Sequence, residues 1–180
     1  MKRLAQFFII VGIFAYLIGM YQVWLRFNPN KLAFSDYQPV VKDTPFVAKA
    51  LPTRLEIKDR KITVSVLPTN VVNNVWETND KGASYVLSSP LPGEKGNSVI
   101  YAHNWANLFG NLPSVKPGDT VEVMYADGKV KTFEIRYTSI VAPNESTILA
   151  SSKDSRITLY TCAGWFDEKR FVAVAVLKDA

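Results

Sequence analysis

The chain has 180 residues, 48% of them apolar, and a formal charge of +5, which is room for one domain with a core and too little for two plus an anchor. Four of the 21 basic residues fall in the first 31 positions, where there is no acid, so residues 32–180 carry 17 basic against 16 acidic groups; a near-neutral domain has no electrostatic grip on a phosphate backbone, and nucleic acid is excluded as a partner. One cysteine and one histidine exclude an intrachain disulfide and the common kinds of zinc site, leaving stability to the core.

Leu4 to Leu25 contains no charged residue. A helix of that length rises about 33 Å, close to the roughly 30 Å hydrocarbon thickness of a bilayer, and Tyr21 and Trp24 fall where interfacial aromatics belong. The following residues, QVWLRFNPN, offer no small-x-small cleavage site, so residues 1–27 read as a short cytoplasmic tip and an uncleaved single-pass anchor. Lys2 and Arg3 on one side face Arg26, Lys31 and Lys42 on the other, a balance that leaves orientation to the chemistry of the domain. Residues 28–52, with Pro29, Pro39 and Pro45 and no sustained periodicity, read as a linker holding the domain off the membrane.

From residue 53 to 180 the pattern changes. Short runs rich in Val, Ile, Thr and Tyr, separated by Pro, Gly, Asn or Asp, predict eight strands: LEIKD, KITVSVLP, ASYVLSS, NSVIYAH, TVEVMYA, KTFEIRYTSIVA, RITLYTC and FVAVAVLK. Asp127-Gly128 between two alternating runs predicts a hairpin. In the last run Val172, Val174 and Val176 alternate with Ala173 and Ala175, so both faces are apolar and the strand belongs inside a sheet. Short helices are expected around Ala106 to Val115 and Ser146 to Ser152, and a functional loop over Pro143 to Ser155. The whole reads as an all-β domain, a mostly antiparallel barrel or curled sheet.

Strand alternation in RITLYTC puts Ile157, Leu159 and Thr161 on one face and Thr158, Tyr160 and Cys162 on the other. A short loop then returns the chain to FVAVAVL, bringing Arg170 and Cys162 to neighbouring strand ends. A guanidinium beside a sulfur favours the thiolate, which is the nucleophile, and supplies donors where an oxyanion develops during acyl transfer. His103 ends another strand, and the turn NWANLFGNL after it directs its ring toward the same cleft. An imidazole there can protonate a leaving amine and later deprotonate an incoming one. Singly, each residue has a plainer reading: a buried small hydrophobe, a capping histidine, a solvated arginine. Three at strand ends point to a cysteine acyl-transfer site.

TLYTC followed closely by Arg170 resembles the signature of the sortases, the membrane-anchored cysteine transpeptidases of bacterial surfaces. SVIYAHNWANLFGNLPSVKPGDTVEV is similar to that family's second motif, here His103, then Phe109 to Leu112, then Lys116 to Asp119. The resemblance implies a closed eight-stranded β-barrel with short helices behind one N-terminal transmembrane helix. It implies a reaction on surface proteins that carry a C-terminal Leu-Pro-x-Thr-Gly-like sorting signal: Cys162 forms a thioester with the Thr carbonyl, and an amine of a peptidoglycan precursor or a pilin lysine resolves it. His103 is then the general acid and base, and Arg170 the oxyanion and substrate-positioning residue. Ala102, Thr161, Tyr160 and Ile148 are expected along the peptide groove, the N-terminus is expected in the cytoplasm, and the domain outside. No cofactor or metal is expected; no acidic cluster declares a calcium site, which leaves calcium activation open. With ordinary values near 8.5 for a thiol and 6.5 for an imidazole, only a minority of molecules would hold the reactive ion pair at neutral pH, so modest turnover is expected.

Two rivals stand beside this reading. An L,D-transpeptidase also unites His, Cys and Arg near the cell wall, but its motif sets a histidine next to the cysteine, which this chain lacks. A non-catalytic membrane-tethered binding module would bury Cys162 as packing alone. Ala102, where many sortases have glycine, and the short loop from Cys162 to Arg170 leave the subclass unassigned, and the absence of an Asp-Pro-aromatic lid motif argues against a lid-covered pilin-type enzyme.

Overall fold

The computed structural model describes residues 2–26, 32–34, 50–72 and 75–178. Helix α1 (Lys2–Arg26) is 25 residues long, and its first 24 form a segment long and apolar enough to cross a membrane. Strands β1 (Pro52–Ile57), β2 (Ile62–Thr69), β5 (Ala83–Val86), β6 (Gly96–Tyr101), β7 (Thr120–Tyr125), β8 (Val130–Val141), β9 (Ser155–Ala163) and β10 (Lys169–Leu177) build the domain, with a two-stranded ribbon of β3 (Val71–Val72) and β4 (Val75–Trp76) beside them. The eight expected strands are all present and close into a barrel in the order β1-β2-β5-β6-β9-β10-β8-β7. The ribbon was not expected, because its two-residue strands are too short to carry an alternation.

Two of the barrel pairings, β2 with β5 and β6 with β9, are parallel, and the other six are antiparallel. The Asp127-Gly128 hairpin joins β7 to β8, with Gly128 at φ 82° and its N–H donating to the Tyr125 carbonyl at 3.0 Å, a backbone shape that a side chain would strain. The helical expectations shrink to 3-10 turns at Leu112–Ser114 and Ser146–Leu149; at the first, Pro113 and the glycine at 110 interrupt any longer ladder.

Side-chain alternation divides the apolar residues into two cores. Ile157, Leu159, Phe171, Ala173 and Ala175 face the barrel interior together with Leu55, Val64, Val121 and Phe133. An eight-stranded barrel has an interior just wide enough to fill with side chains, and the small Ala173 and Ala175 fit that space. Val172 and Val174 face outward into a second cluster with Tyr101, Tyr160, Cys162 and Trp76. This is why both faces of β10 are apolar.

The Lys116 to Asp119 turn has a structural role. Arg60 donates from Nε and Nη2 to the two Asp119 carboxylate oxygens at 2.6 and 2.9 Å, and the Lys116 N–H donates to the same carboxylate at 2.8 Å. The turn after β1 is thereby clamped to the start of β7. The Arg60 guanidinium holds the Asp119 carboxyl below its ordinary value. Nothing lowers it in the unfolded chain, so the clamp stabilises fully above about pH 4 and fades as pH falls through the lowered folded value. Asp119→Asn is expected to reduce Tm by about 2–4 °C at neutral pH and to flatten the acid limb of a Tm-against-pH curve, measured by thermal denaturation.

Candidate active site

β9 and β10 place Cys162 directly opposite Arg170, with Tyr160 opposite Val172 and Thr158 opposite Val174. Directly opposed residues on antiparallel strands point to one face with Cβ atoms about 4.5–5.5 Å apart, so the arginine stem starts beside the sulfur. On the other flank β6 runs parallel to β9 and ends with Tyr101 beside Tyr160. The pairing continues past the strand: the Ala102 N–H donates to the Tyr160 carbonyl at 3.3 Å, and Thr161 Oγ1 donates to the Ala102 carbonyl at 2.8 Å. By the two-residue period, His103 follows Tyr101 as Cys162 follows Tyr160. The three residues singled out in the sequence therefore converge on one rim, from the ends of β6 and β9 and the start of β10.

Each is held by its own surroundings. The His103 carbonyl accepts the Phe109 N–H at 3.1 Å, and the Trp105 ring stacks on the imidazole at 4.5 Å and 10°. That turn needs glycine at 110, where a Cβ would lie 2.7 Å from the Trp105 carbonyl oxygen. Arg170 Nη1 donates to the carbonyls of Asp167 and Lys169 at 3.1 and 3.0 Å, and Asn104 Nδ2 donates to Asp167 Oδ1 at 2.7 Å. The histidine turn and the β9–β10 loop are thus linked across the site. Cys162, Arg170 and His103 are 2, 4 and 7% exposed, so the rim is closed over in this state.

The outer face beside Cys162 is an aromatic box. Tyr101 and Tyr160 stack at 5.3 Å and 15°, and Trp76 stands edge-on to both at 5.3 and 6.0 Å. Tyr101 donates its hydroxyl to the Glu77 carbonyl; burial pushes this phenol well above its ordinary range, which keeps it a neutral donor. The box is filled by the chain itself. Leu32 and Phe34, from the stretch 28–52, are fully buried, with Phe34 edge-on to Tyr160 at 5.0 Å and Tyr160 donating its hydroxyl to the Leu32 carbonyl at 3.2 Å. Residues 35–49 lie outside the described residues.

Of the expected groove residues, Tyr160 lines this outer face and Ile148 packs half-buried against it. The loop bearing Ile148 is fixed by Asn97, whose Nδ2 donates to the Ile148 and Ala150 carbonyls at 3.0 and 3.1 Å and whose Oδ1 accepts from Thr158 Oγ1 at 2.7 Å. Thr161 and Ala102 are not brought there. Thr161 is fully buried opposite Phe171, and Ala102 packs in the interior core. The alternation that sets Cys162 outward sends Thr161 inward. Trp105, Trp76, Tyr101 and Phe34 were missed. Tyr101 was available from its two-residue offset to His103, whereas the stretches around Phe34 and Trp76 show no periodicity that marks either.

A family model described as Sortase domain matches residues 55–178. Sortase A of Listeria monocytogenes is 32% identical over 101 residues, 54% of this chain and 45% of that protein, so the match spans less than half the length of that relative. Among solved structures, sortase A from Corynebacterium diphtheriae, as a lid mutant, superposes with a TM-score of 0.63 at 20% identity, covering 90% of this chain and 96% of that one. Sortase C1 of Streptococcus agalactiae, in complex with MTSET, gives 0.64 at 19% identity over 89% of each chain. At these identities the structural likeness establishes the barrel.

Proposed function

The chain belongs to the sortase family, and from that premise we propose that it is a cysteine transpeptidase acting at the cell surface on proteins with a C-terminal Leu-Pro-x-Thr-Gly-like sorting signal. The observation that carries the reading is the register of Cys162 against Arg170 with His103 on the adjoining strand extension. The Cys162 thiolate attacks the threonine carbonyl carbon. Arg170 faces the oxygen that becomes anionic, His103 gives its proton to the departing amine as the C–N bond breaks, and a thioester remains. An incoming amine, from a cell-wall precursor or a pilin lysine, then attacks the thioester, loses its proton to His103 and releases the thiolate. The steps as written need no cofactor. Helix α1 is the single membrane span in this reading, with the N-terminus in the cytoplasm and the barrel outside.

The test uses the full chain in detergent, a fluorogenic sorting-signal peptide and an amine acceptor. The expected result is a covalent peptide mass on Cys162 that hydroxylamine removes and that the amine converts to product. No adduct across a panel of such peptides would sink the proposal.

Burial of the sulfur also fits a non-catalytic module, so a catalytic reading needs a route to Cys162, and the Leu32–Phe34 strap, buried in the same cluster, is where it would open. Burying Leu32 and Phe34 contributes about 3–6 kcal/mol, while ordering three backbone residues costs about 3–6 kcal/mol. The strap is therefore held by a small margin and can leave when a peptide competes for the box. Phe34→Ala is expected to speed iodoacetamide labelling of Cys162 about tenfold or more with the barrel still folded by circular dichroism. An unchanged rate would mean that the strap does not govern access.

A further inference from the structure

Five residues, 164–168, connect β9 to β10. Within them Trp165 and Phe166 are 77 and 57% exposed, their rings edge-to-face at 5.3 Å. The connection is built to present them. Phe166 and Asp167 take left-handed φ values of 54° and 61°, a conformation that persists in such residues only where the surroundings impose it. Asn104 and Arg170 both hold Asp167, and the Asp167 and Glu168 N–H groups donate back within the turn, to the Gly164 and Trp165 carbonyls. Outside α1, the only other large hydrophobic side chains exposed among the described residues are Val130, Tyr137 and Ile140.

The position of this turn names its occupant. The short 3-10 turn at residues 165–167 approaches α1 to within 8 Å, Cα to Cα. The helix is exposed along its length except at Gln22 and Leu25, which are half-buried near its C-terminal end. Tyr21 and Trp24 stack there at 6.1 Å, the place of the aromatic belt in a spanning helix. The Trp165–Phe166 pair thus lies beside the end of α1 that would leave the bilayer.

We propose that Trp165 and Phe166 are a second membrane contact, inserting into the interfacial layer of the same bilayer that α1 crosses. Trp and Phe are the side chains that favour this layer. The contact sets the β9–β10 turn, the connection between Cys162 and Arg170, at the lipid surface. The inference rests on α1 being a span and on no property of the reaction.

The experiment reconstitutes the full chain in vesicles of phosphatidylcholine and phosphatidylglycerol, with and without bromine placed shallow in the acyl chains. Subtracting the emission of Trp165→Phe from that of the parent isolates Trp165, and Trp24→Phe isolates Trp24 in the same way. The Trp165 component is expected to lose most of its intensity to brominated lipid and to resist aqueous acrylamide, as the Trp24 component does. Quenching of Trp24 by brominated lipid with Trp165 open to acrylamide overturns the second contact and leaves the span standing. If neither is quenched by bromine, both fall. A Trp165 component that becomes shielded only when sorting-signal peptide is added assigns the pair to peptide contact and overturns the membrane role. None of these signals depends on turnover, so a silent enzyme does not disturb them.

Discussion

With Cys162 replaced by alanine, the chain is expected to form no peptide adduct and to cleave a sorting-signal peptide about 10⁴-fold or more slowly, because on the proposed mechanism the nucleophile has no substitute. The substitution removes one sulfur from a strand whose register is fixed by β6 on one side and β10 on the other. Alanine keeps the backbone and fits the space, so the barrel is expected to melt within a few degrees of the parent. Arg170 and His103 remain, and what they contribute without a thiol is the only rate left. Peptide cleavage followed by fluorescence, with intact-mass analysis of the protein, checks both parts. Cleavage within tenfold of the parent would make Cys162 a packing residue and leave the site without its nucleophile.

Arg170→Lys is expected to lower kcat/KM by about 10²–10³-fold, the loss seen when an oxyanion donor is removed. Lysine keeps the positive charge, so the comparison isolates geometry. In the parent, one guanidinium nitrogen is committed to the carbonyls of Asp167 and Lys169, which fixes the plane of the fork. An ammonium is a point charge on a flexible stem and cannot satisfy those carbonyls and face an oxyanion at once. The split in kinetic constants is informative: a fall in kcat with little change in KM marks a contact made in the transition state. Near-full turnover would remove Arg170 from the oxyanion role and leave it a brace for the loop.

The barrel was legible because its strands are long enough to alternate. Ile157, Leu159 and Thr161 against Thr158, Tyr160 and Cys162 give the inward and outward faces of β9 without any structure, and the bulky and small faces of β10 follow in the same way. The return of the chain from Cys162 to Arg170 was legible too, since a short connection between two apolar strands leaves few options. What the sequence withheld depends on contacts between segments far apart. Phe34 belongs to a stretch with the composition of a linker, and its burial arises only because Trp76, Tyr101 and Tyr160 form a box. Trp76 sits on a ribbon too short to have a period. Parallel pairing of β6 with β9 was equally hidden, because a buried strand reads the same whichever way its neighbour runs.

That parallel pairing has a kinetic side. His103 and Cys162 reach one rim through a parallel pairing whose two strands are separated along the chain by β7 and β8, which pair elsewhere in the barrel. Closing so long a segment sets an entropic toll that its contacts offset late in folding. Until that pairing forms, His103 is expected to lie apart from the sulfur, whereas Arg170 joins Cys162 through the local β9–β10 pairing. The three side chains are therefore expected to come together only with closure of the cylinder, because the last of them to arrive depends on strands far apart in the chain.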